Sequence, residues 1–102
     1  MIIISPTVSI TPSATSSKIF VTSSFAGSNL VSNELGYFTI YRDSTNLGGA
    51  NGLVMIHANT TTHKIAPTAM SILDSPSSTS ALNYQVYARG RSLRFLRNLH
   101  RL

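Results

Sequence analysis

Three carboxylates, three histidines and eight basic side chains are all the acids, imidazoles and bases in this chain. Hydrolysis of a sugar linkage needs two carboxyl groups held about 5–10 Å apart. Only Glu34, Asp43 and Asp74 are on offer. Asp43 in RDST and Asp74 in LDSP stand where a short acid caps the amides of a turn, and Glu34 in SNELG reads as a loop charge. His57, His63 and His100 form no close pair and have no carboxylate beside them at metal-ligand spacing; a symmetric trimer is the one arrangement that would gather three copies of one imidazole. Cysteine is absent, which removes disulfides and thiolate metal sites. Serine is too abundant to mark a nucleophile, and no G-x-S-x-G run occurs. GGANG, residues 48–52, is followed by neither Lys-Ser/Thr nor a helix start, so it is not a phosphate loop. The residue types thus point away from an enzyme, a cofactor and a protein-held metal ion.

The charge pattern carries more. All of the net +5 comes from Arg89, Arg91, Arg94, Arg97 and Arg101, since the body before position 89 balances Lys18, Arg42 and Lys64 against the three acids. A cationic tail on a neutral body is an anion contact in search of a ligand, with Arg91, Arg94 and Arg97 as its candidates. The competing role is a solvated edge that discourages sheet-to-sheet aggregation. Only Phe95 lies among these arginines, too few aromatics for stacking on single-stranded nucleic acid, which argues against nucleic acid as a partner.

The elements that must position these residues read as strands. One domain suits 102 residues, and such a domain buries roughly 60–65% of its unfolded surface. Ser and Thr make up 27 residues and charged residues only 11%, which is not the composition of a helical bundle. Apolar runs never approach the ~18 residues of a membrane span, and no signal-peptide core precedes residue 10. β-branched and aromatic blocks at 2–10, 18–25, 36–43, 53–58, 65–73 and 82–89 are separated by turn signals. Pro6 marks an edge or bulge in the first block, residues 30–32 hold room for a further short strand, and Gly48, Gly49 and Gly52 suit tight turns. RSLRFLRNLHRL at the end fits either a short helix or a strand over 92–98; the strand is favoured, with 99–102 as a basic tail. Residues 1–98 then form a single antiparallel β-sandwich of about seven or eight strands.

Alternation assigns the faces. Phe38 and Ile40 point one way, and Tyr37, Thr39 and Tyr41 the other; Ile19 and Val21 oppose Phe20; Tyr84, Val86 and Ala88 share a side. A solvated sandwich strand carries one apolar and one polar face. Here the second face bears aromatics, so Phe20, Tyr37 and Tyr41 are candidate subunit-interface residues, against the alternative that the tyrosines merely cover the surface with hydroxyls in water.

Three stretches in order, SITPSATSSKIFV (9–21), YRDSTNLGG (41–49) and ILDSPSSTSALNYQVYARG (72–90), resemble a small domain at the C-terminal ends of tail-fibre and related structural proteins of marine and cyanobacterial phages. The resemblance runs from about residue 9 to residue 98. It implies a compact jelly-roll-like sandwich, a homotrimer, and a place in the virion after synthesis in the host cytoplasm. It also implies a non-enzymatic role in host attachment beside other virion proteins, with host-surface polysaccharide as the ligand. The chain departs from the family in its terminal arginines, where relatives end on a mild strand. Loops at 26–35, 44–52 and 59–64 would hold the receptor contacts, with Asn29, Asn46, Asn51 and Asn59 as the candidates for sugar hydroxyls. The second reading is a capsid decoration protein with no receptor.

Overall fold

A computed structural model describes residues 2–3, 5–25, 35–49, 52–57 and 67–90. Eight strands lie among them: β1 (Ile2–Ile3), β2 (Val8–Ile10), β3 (Ile19–Phe25), β4 (Leu35–Arg42), β5 (Thr45–Asn46), β6 (Val54–His57), β7 (Thr68–Asp74) and β8 (Leu82–Gly90). All pairings are antiparallel. Among the described residues no helix is long and apolar enough to cross a membrane.

The pairings nest. β2 lies on β8, β3 on β7 and β4 on β6, as in one long hairpin whose apex is the 43–53 turn region. The hairpin is rolled on itself so that β4 also pairs with β8. The large sheet therefore runs β2-β8-β4-β6, with β1 beside β2 along β8 and β5 beside β6 along β4. β3 and β7 form a second sheet of two strands. This winding is the all-β antiparallel sandwich expected from the residues, in the jelly-roll-like form that the resemblance implied. The chain changes sheet between β2 and β3, β3 and β4, β6 and β7, and β7 and β8.

The core sits between the sheets. Phe38, Ile40, Leu82, Tyr84, Val86 and Ala88 come from the large sheet and Met70 from the small one, with Ile19, Val21, Phe25 and Ile72 packed against them. Ala88 lies opposite Phe38 in register. Its small side chain leaves room for the Phe38 ring, which is fully buried and meets Phe25 at 5.2 Å between centroids, tilted by 55°. Such tilted pairs are favoured by the ring quadrupole.

The block at 2–10 forms two short strands on one edge rather than a single one. Pro6 lacks the amide a ladder needs. Side chains fill the gap: the Val86 amide donates to Ser5 Oγ (2.8 Å), and Gln85 Nε2 donates to Thr7 Oγ1 (2.7 Å). The turn expected over 11–17 is present, closed by Ser17 N donating to Ala14 O. The strand block read at 65–73 is β7, described from Pro67 and ending on Asp74. The strands expected over 30–32 and 92–98 and the basic tail fall outside the described residues.

Candidate functional site

Asp74 is not a turn cap. It is the last residue of β7, buried, and it ties the two sheets together. Arg42 at the end of β4 donates from Nη1 to its Oδ1 at 2.6 Å, and the Tyr84 hydroxyl donates to its Oδ2 at 2.6 Å. Both bonds are charge-assisted, the shorter and stronger class. The Asp74 hydrogen bond holds the Arg42 guanidinium above its ordinary pKa, against the opposing effect of burial. Burial first, then the bond to Asp74, pushes the Tyr84 phenol well above its usual value. With both carboxylate oxygens engaged, Asp74 is poorly placed to act as a general acid or base. Asp43, by contrast, does serve a turn. Its backbone is left-handed (φ 52°), and its Oδ1 accepts from the Asn83 amide at 3.1 Å. Glu34 lies outside the described residues, as do His63 and His100. Among the described residues no group of three or more His, Asp or Glu could hold a metal ion.

The 43–53 turn region is built around Asn46. Its Oδ1 accepts from the Thr39 hydroxyl at 2.7 Å and from the Gly48 amide at 2.9 Å, and its Nδ2 donates to the Gly49 carbonyl at 2.8 Å. The side chain is thus engaged in holding its own loop. Thr39 points to the outer side of β4 yet is fully buried, because this loop covers it. Gly49 and Gly52 have the positive φ that the turns require, 80° and 70°. Gly48 is needed for closeness instead, since a Cβ there would sit 2.5 Å from Thr39 Oγ1. Asn29, Asn51, Asn59, Arg91, Arg94 and Arg97 fall outside the described residues.

Phe20, Tyr37 and Tyr41, the candidate subunit-interface residues, stand on two different outer faces. Tyr37 and Tyr41 stand on the outer side of the large sheet and have partners there. Tyr41 stacks on Tyr87 with centroids 4.1 Å apart and planes 28° apart. The Arg89 guanidinium lies over the Tyr37 ring at 4.3 Å, a cation–π contact. Met55 on β6 lies opposite Tyr37 in register and is 58% exposed. Tyr87 and Arg89 were the residues missed by sequence reasoning. Their signal was their parity with Gln85, opposite to Tyr84, Val86 and Ala88, but it becomes informative only once β8 is known to lie beside β4.

Phe20 is on the other side of the molecule, on the outer face of the small sheet. Leu73 is its register partner, and the two are 62% and 60% exposed. Beside them a cleft of about 390 Å³ opens between the edges of β2 and β3, with Val8, Ile10, Ile19, Val21 and Val86 among its walls.

No protein-family model, curated protein or solved structure matches this chain.

Proposed function

We propose that this chain is a non-enzymatic structural module of a phage particle, of tail-fibre type, that attaches to host-surface polysaccharide. The observation that carries the reading is the outer side of the large sheet. Tyr37, Tyr41, Tyr87 and Arg89 stand together on the two longest strands of the fold. Aromatic rings with hydroxyl tips beside a cation suit sugar rings carrying acidic groups. Ligand surfaces positioned by rigid strands are better fixed than those on loops. Here the recognition surface moves from the loop asparagines to the sheet face. The ordered resemblance of residues 9–21, 41–49 and 72–90 to tail-fibre domains supplies the particle context, and a homotrimer is the assembly it implies.

The test presents purified lipopolysaccharides and capsular polysaccharides on biosensor tips and measures binding and released reducing ends together. The expected result is saturable binding without reducing ends, lost at least tenfold in Tyr87→Ala. Release of reducing ends would make the protein an enzyme. Failure to bind any polysaccharide, with binding to assembled capsids instead, would favour the decoration reading.

A further inference from the structure

We infer that copies of this chain join through the flank formed by β2, the cleft and the outer face of β3–β7, and that the occupant of this flank is a second copy of the same protein. Val8, Ile10, Phe20 and Leu73 are four of the five large apolar side chains left exposed among the described residues. Phe20 lines the same cleft as Val8 and Ile10, and Leu73 stands directly opposite Phe20, so the four form one continuous patch. Exposed apolar patches of this kind mark contact surfaces.

The backbone tells the same story. β3 pairs with β7, and its other edge, along the cleft, has no strand partner among the described residues. Natural edge strands are blunted by Lys, Pro or a bulge. IFVTSSF contains neither charge nor proline and pairs with β7 over seven consecutive residues without a bulge. Such an edge is a template for strand addition unless something covers it.

Two features select a second copy as the cover. The first is charge. The chain carries +5, yet the cleft walls and the outward residues of β3 and β7 contain no Asp, Glu, Lys, Arg or His, and the one phenol among them, Tyr84, is held in its neutral form. A neutral surface is the kind that identical copies can press together without like-charge repulsion, whereas an anionic partner would be met by arginine. The second is the edge itself, which offers both amides and carbonyls and so complements its own copy. The inference holds whether the module serves a fibre or a capsid.

The experiment measures mass by light scattering and sedimentation over a range of concentrations for the full chain, for Phe20→Lys and Leu73→Lys, and for Met55→Lys. Met55 is a control of matching exposure on the opposite face. Far-UV circular dichroism confirms that each variant remains folded. The wild type is expected as a multiple of the 11.0 kDa chain, retained by Met55→Lys. The two flank variants are expected to associate at least tenfold more weakly and to run as single chains. A wild type that stays at 11.0 kDa at high concentration would overturn the inference, as would folded flank variants that associate like the wild type. Loss of polysaccharide binding with mass intact would count against the proposed function alone.

Discussion

The Arg42–Asp74–Tyr84 cluster shows how a single acid can stabilise a sandwich without doing chemistry. Removing one partner from a buried charge pair costs about 3–5 kcal/mol, because the other charge is stranded. The cluster also sets an alkaline limit. The folded-state pKa of Tyr84 is raised above its unfolded value of about 10. Between those two values the unfolded chain holds fewer protons than the native one, so stability falls as pH rises. The contribution is complete below pH ~10 and is lost as pH climbs through the folded pKa. Denaturant titrations from pH 8 to 12 should show stability declining above about pH 10 in the wild type and a shallower decline in Tyr84→Phe. Equal slopes would mean that the phenol is neither buried nor held by Asp74 as described. None of this was readable in LDSP, which looks like a turn cap. Arg42 lies 32 residues away in the chain and on the other sheet, and proximity of that kind comes only from tertiary packing.

Among the elements, the alternation of β4 and β8 was plain in the residues. Each has one face against the core, and a one-residue slip would turn the buried set outward. Pro6 was a visible flag for the break between β1 and β2. What could not be read was which strand pairs with which. β3 joins β7 across more than forty residues, and local patterning carries no such information. The 43–53 turn region was legible as a turn from its glycines, but its role as a cover over Thr39 was not. Gly52 makes this element testable. Its φ is 70°, and a Cβ would stand 2.6 Å from the Phe38 carbonyl oxygen. Gly52→Ala should therefore cost roughly 1–3 kcal/mol, read as a Tm lower by about 4–8 °C per kcal/mol. An unchanged melting curve would show that the loop does not grip β4 as described.

At the scale of the whole molecule, the sandwich is uneven. Among the described residues six strands form one sheet and two the other, so the small sheet covers part of the core and leaves a cleft along one flank. Its outer surfaces differ in kind. The large sheet presents tyrosines already paired within the chain, together with a guanidinium, and the small sheet presents Phe20 and Leu73 beside an edge that has no strand partner among the described residues. The role proposed above would use both types of surface, one to hold copies together and one to meet the outside. That division of labour rests on whether a second copy closes the flank, and amide hydrogen exchange along Ile19–Phe25 reads this directly. Protection of these amides should rise with protein concentration, while that of β4, paired on both sides within the chain, stays constant. Protection along β3 that is the same at every concentration would contradict it.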